Sequence, residues 1–201
     1  MLRETLRQLR GKADHVVVSL HMGMEFVPYP TTLMAQLAEL CLEEGAGVVA
    51  FHHSHVLGGY AADHRGLVLW GAGNYLFPPE DLGHFPAWFE SAAWIVSLPS
   101  NGGAPRLQSV LPLMLDAHGR PALADTRAAA RISKHIQRLS ARSRNRWRTA
   151  GHRCLHLLGP GYLKTAGANY VHLARQQGWP AVARSVCSTF RTQFGSNRPR
   201  P

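Results

Sequence analysis

Two short apolar runs, Val16 to Leu20 and Val48 to Phe51, are each followed at once by histidine: His21 in SLHMGMEF, then His52, His53 and His55 in AFHHSHV. Brief β-branched runs of this kind suit strands buried on both faces, the usual setting of a parallel sheet. Between them, after Pro30, residues Leu33, Leu37, Ala38 and Leu40 give a helical stripe that Gly45 and Gly47 end. Strand, helix and strand form a βαβ unit, right-handed by expectation, with the two strand C-termini side by side. His21 and the His53/His55 pair can therefore converge although they are distant in sequence. An extended His-x-His segment presents both imidazoles in one direction, and neutral imidazole is a good ligand for zinc, manganese or iron. Glu25 and Asn74 read as oxygen ligands or as outer hydrogen-bond partners, and His52 as ligand, donor or substrate contact.

Around this unit the patterning is plainer. Leu2, Leu6 and Leu9 mark one face of a short helix stopped by Gly11. Leu67 to Trp70 reads as a strand leading into GAGNYLF, and Ala92 to Leu98 and Leu107 to Leu113 read as strands joined through the turn PSNGGAP, so a mixed sheet is expected. From Ala122 the period becomes helical, with Ala128, Ile132, His135 and Leu139 on one side and arginines around the rest. Tyr162 to Gln177 and Pro180 to Phe190 read as two short amphipathic helices, with RLSARSRNRWR as a solvated helix or a disordered basic stretch. The expected organisation is an α/β domain over 1–121 and a basic, mostly helical segment over 122–201.

Charge divides the chain in the same way. Residues 1–126 hold 7 Lys/Arg against all 12 Asp/Glu, whereas residues 127–201 hold the other 15 Lys/Arg and no carboxylate. Such a basic segment suits phosphates, anionic lipid or an acidic polymer, and Trp147, Tyr162, Tyr170 and Trp179 among the arginines would also suit nucleic acid. The three cysteines, Cys41, Cys154 and Cys187, lack CxxC spacing and read as free thiols. No apolar run reaches the length of a membrane span, and MLRETLRQLRGK has no signal-peptide core, so the expected location is cytoplasmic or peripheral at a membrane.

In order, DHVVVSLHMGMEFVPYP, FHHSHVLGG and GLVLWGAGNYLF resemble three motifs of the CapA family of capsule-synthesis proteins, a branch of the calcineurin-like metallophosphatases. His21, Gly23, Glu25 and Phe26 match its His-x-Gly-x-Glu-aromatic motif, and Pro28, Tyr29 and Pro30 its Pro-Tyr-Pro. His52, His53, His55 and Val56 match its paired histidines before Pro-His-Val, with Ser54 in place of proline. Gly71, Ala72, Gly73, Asn74 and Tyr75 match its Ser-Leu-Gly-Asn-aromatic segment.

The resemblance implies part of a metallophosphatase-like αββα sandwich, with His21, His53 and His55 as ligands in a two-metal, hydrolase-type centre whose metal (Mn, Zn or Fe) it leaves open. It implies catalytic roles for His52 and Glu25, and substrate-side or outer hydrogen-bonding roles for Asn74 and Tyr29. The family's first half contributes an aspartate-ending strand, a Glu-bearing segment and an Asn-His pair, none of which precedes Leu2. The expectation is thus a truncated or split domain, completed by a separate chain and acting in capsule or poly-γ-glutamate synthesis within a membrane complex. Its substrate would be an anionic polymer or a phosphorylated or carboxylated compound. The alternative expectation is a non-catalytic accessory protein whose basic segment holds an acidic polymer, a membrane surface or nucleic acid.

Overall fold

The computed structural model describes residues 1–76, 86–143, 156–157 and 159–184. It divides into two compact units, Met1–Leu155 and His156–Pro201, each described by itself.

The first unit opens with α1 (Leu2–Leu9), β1 (Val17–His21), α2 (Thr32–Glu43) and β2 (Val48–His52), the expected βαβ order. β1 and β2 pair in parallel with His21 beside His52. β4 (Leu67–Leu69) adds in parallel to β2, and β3 (Tyr60–Ala62) pairs antiparallel to β4, giving a mixed sheet of order β1-β2-β4-β3. Strand β3 was not legible in the sequence: three residues cannot display a period. Thr31 starts α2 by accepting the Met34 N–H at 3.2 Å. Gly45, at φ 94°, ends it in a left-handed position that other side chains resist.

One face of this sheet, through Val18, Val49, Phe51, Val68 and Trp70, packs against Leu6 of α1 and Met34, Ala38, Cys41 and Leu42 of α2. At about 1.5–3 kcal/mol for each large apolar side chain buried, this face is a principal source of stability. The buried stripe of α2 is therefore one residue out of phase with the leucines that suggested it, and Leu33 is 44% exposed. Burial also pushes the Cys41 thiol pKa up, which keeps it protonated.

The opposite face carries Val48, Leu67 and Leu69, covered by Trp94, Val96 and Leu107 of a second sheet. That sheet is antiparallel, in the order β5 (Glu90–Ser97), β6 (Arg106–Leu115) and β7 (Pro121–Leu123). Helix α3 (Thr126–Ser143) packs beside it, with Ile132 and Ile136 against Leu57 and Ala92. Ile136 and not His135 takes the inward position; His135 is exposed. The Arg-rich composition from 127 onward thus does not keep α3 out of the first unit. Contact is very close where Gly59 meets the helix: an added Cβ there would lie 2.5 Å from the Ser140 main-chain nitrogen.

In the second unit, α4 (Pro160–Gln177) begins after Gly159 and stops at Gly178, whose φ is 80°. Residues 179–184 are again helical, as expected, while the remainder of the anticipated Pro180–Phe190 helix lies outside the described residues. So do Trp147, Cys154, Cys187 and Arg144 to Arg148 of the basic stretch. No helix among the described residues is long and apolar enough to cross a membrane.

Candidate functional site

The C-terminal ends of β1 and β2 meet where the parallel register places them, and the histidines gather at this rim. His53 Nδ1 lies 3.2 Å from His21 Nε2, close enough for one ring to donate to the other. The His53 and His55 rings are 5.9 Å apart between centroids. The backbone achieves this in an unexpected way. His53 and His55 are not extended but left-handed, at φ 84° and 57°, and Phe26 across the rim is at φ 63°. Non-glycine residues resist this region, and such conformations cluster at functional sites.

Surrounding main chain fixes these loops. The Phe26 N–H donates to the Ser54 carbonyl at 2.8 Å. Gly23 lies so close to the second loop that a Cβ would sit 3.3 Å from the His52 carbonyl oxygen. Ser54, which stands where the motif has proline, is buried and donates through Oγ to the Val56 carbonyl at 3.0 Å. This contact replaces part of the rigidity that a proline ring would give the loop.

His55 is held from behind. Its Nδ1 lies 2.9 Å from Asn74 Oδ1, and Asn74 Nδ2 donates to the Trp88 main-chain carbonyl at 3.2 Å. Asn74 is only 4% exposed. Trp88 stacks on Phe26 with centroids 5.0 Å apart and lies 6.4 Å from the His55 ring. The part played by Trp88 was not anticipated. Nothing in its local sequence distinguishes it, because its role comes through a backbone carbonyl.

His52 points along the other line of the rim, with Nε2 3.1 Å from Ser19 Oγ on an exposed surface. Glu25 is exposed, and its charge favours the protonated form of His53. Burial outweighs it and lowers the His53 pKa from the ordinary imidazole value, and the neighbouring His21 and His55 lower it further. Tyr29 is buried beneath the loop and accepts a hydrogen bond from Arg142 of α3 at 3.2 Å.

The structure thus brings His21 and His53 into contact, sets His55 beside them on Asn74, and leaves His52 with Ser19. Among the described residues, no group of three or more His, Cys, Asp or Glu side chains is gathered closely enough to hold a metal ion. The donor chemistry still fits a metal: the imidazole nitrogens of His21 and His53 face one another, and burial favours the neutral, ligating form of His53.

Residues 1–79 match the family model described as bacterial capsule synthesis protein PGA_cap. The chain is 34% identical over 68 residues to the capsule biosynthesis protein CapA of Bacillus anthracis, a stretch covering 34% of this chain and 16% of that protein. It is 31% identical over 72 residues to the PGA biosynthesis protein CapA of Bacillus subtilis (strain 168), covering 36% of this chain and 19% of the relative. The match therefore spans less than a fifth of the length of either relative.

Proposed function

We propose, from the match of residues 1–79 to the capsule-synthesis family model and to two CapA proteins, that the chain serves capsule or poly-γ-glutamate synthesis through a divalent-metal, hydrolase-type site at the β1/β2 rim. The observation that carries this reading is the 3.2 Å approach of His21 to His53, whose own backbone is left-handed. That arrangement holds two imidazole nitrogens side by side with His53 favoured in its neutral form, the form that ligates a cation.

In this reading His21, His53 and His55 would hold the metal once a bound cation draws His55 in to the His21–His53 pair. When bound, a divalent pair would supply Lewis-acid activation of water toward a phosphoryl or carboxyl-derived group. The chain's own residues would do the rest: Ser19 orients His52 to move a proton at the exposed rim, and Glu25 places a negative charge beside the imidazoles. Tyr29, fixed by Arg142, shapes the floor. Three imidazoles do not fill two coordination spheres, so oxygen ligands would come from another segment or a separate chain. β1 is the edge strand beside which such a segment would pair.

Metal content of the purified chain tests the reading. Tight metal in the wild type, lost in His53→Ala/His55→Ala, is the expected outcome. Uptake unchanged in the double variant would refute the ligand assignment.

One observation favours a second, compatible reading. Arg127, Arg131, Lys134, Arg138 and Arg142 recur along one exposed side of α3, opposite the buried Ile132 and Ile136, and α3 carries no carboxylate. This ridge would hold an anionic polymer, with binding that weakens steeply as salt rises. Arg127→Ala/Lys134→Ala/Arg138→Ala should bind poly-γ-glutamate at least several-fold more weakly, and equal binding by wild type and variant would sink this second reading.

A further inference from the structure

We propose that Asn74, suspended from the Trp88 main-chain carbonyl, is a positioning residue that holds His55 in its Nδ1–H tautomer and so leaves the ring's lone pair on Nε2, the nitrogen it would offer to a metal. The part concerning the centre rests on the metal-site reading above; the tautomer assignment does not.

Bonding logic fixes the protons. A main-chain carbonyl can only accept, so the Asn74 atom facing Trp88 O at 3.2 Å must be the amide nitrogen. The atom facing His55 at 2.9 Å is then the amide oxygen, which can only accept, so His55 Nδ1 must carry the hydrogen. A neutral imidazole has one N–H, and Nε2 is left with the lone pair. Without such a partner, imidazole ordinarily favours the opposite tautomer, which would present the wrong nitrogen.

The tether is also fixed in height. Gly73 stands at φ 77°, and a Cβ on it would fall 2.4 Å from the Glu90 carbonyl oxygen. The Ala92 N–H donates to the Ala72 carbonyl at 2.9 Å, clamping residues 72–74 to β5. With its oxygen engaged by His55 and its nitrogen by Trp88, the buried Asn74 acts through His55 and does not itself ligate. Its anchors, Trp88 and the start of β5, lie beyond the last residue of the family match. Sequence outside the matched region thus sets which nitrogen of a matched histidine is offered.

The test uses the full chain, 15N-labelled at histidine, stripped of metal by chelation and held where its imidazoles are neutral. Long-range proton–nitrogen correlation reads the His55 tautomer, with signals assigned by their loss in His55→Gln. Nδ1 protonated is expected in the wild type. In Asn74→Leu the proton should move to Nε2, and Zn²⁺ affinity should fall by about 10–100-fold. Nε2 protonated in the wild type overturns the proposal, and so does Nδ1 protonation persisting in folded Asn74→Leu. Should that variant fail to fold, Asn74→Ser, too short to reach His55, takes its place under the same criterion. Because the readout needs no metal, the two readings can fail separately: Nδ1–H with no Zn²⁺ uptake removes the metal site alone, and Nε2–H with tight Zn²⁺ removes the tautomer assignment alone.

Discussion

The two ends of the βαβ unit handle charge in opposite ways. At the end where α2 returns to β2, Glu44 is 6% exposed and receives Arg3 and Arg7 of α1 and Arg10 just past its end, at 3.4, 3.1 and 2.9 Å. Three cations share one buried carboxylate, whose pKa the arginines hold below its ordinary value, Arg7 most of all. At the other end His21, His53 and His55 gather, the last two on left-handed backbone, and the exposed Glu25 carboxylate acts on His53. The first arrangement sets its cations on a carboxylate of the same chain. The second gathers titratable groups of one kind on strained backbone, a pattern that clusters at functional sites.

The largest expected effect comes from the Glu44 end. Leu6, the buried residue that seats α1 and its arginines, is 3% exposed. Leu6→Ala should cost about 2–5 kcal/mol in urea denaturation, while leaving the His21–His53 contact and any metal uptake unchanged. Loss of metal uptake in a folded Leu6→Ala would mean that the two ends are coupled.

Acid should separate the ends next. The folded His53 pKa lies below its ordinary 6.5, so its contribution to stability is complete above that value and is lost as pH falls through the folded pKa. Glu44 is lowered from 4.5, so its contribution holds above that value and is lost only as pH falls through its own lower pKa. Thermal midpoints should therefore become pH-dependent first through the imidazole rim. A His53→Gln variant should flatten the profile just below 6.5 and leave the acid limb intact; an unchanged profile there would remove His53 as the cause.

The smallest effect is a gain. His53→Gly relieves a left-handed conformation but adds chain freedom to the unfolded state, so the net should be a stabilisation of about 1 kcal/mol or less. A loss of stability would show that ring packing at the rim outweighs the backbone strain.

Much of this contrast was legible in the sequence, though unevenly. Strand-end histidines, the β5–β6 hairpin turn and the helix-ending Gly45 follow from local rules, and the family motifs led to Asn74. The left-handed turns at His53 and His55 could not be read, because histidine carries no signal that its backbone will reverse. Arg3, Arg7 and Arg10 repeat as regularly as the leucines beside them, but their meaning depends on Glu44, which only folding brings near. In α2, Leu33 and Leu37 outweighed Met34 and Cys41 by hydropathy, yet Met34, Ala38, Cys41 and Leu42 are the residues buried against the sheet.

The near-contact of Gly59 with α3 has a further consequence, in the timing of solvent exchange. The Tyr60 amide donates not to a neighbouring strand but to Ser140 Oγ, at 3.0 Å, and Ser140 Oγ in turn donates to the Ile136 carbonyl at 2.8 Å. A deuteron can therefore replace that amide proton only when the helix lifts away. One amide in a three-residue strand becomes a clock for the undocking of α3.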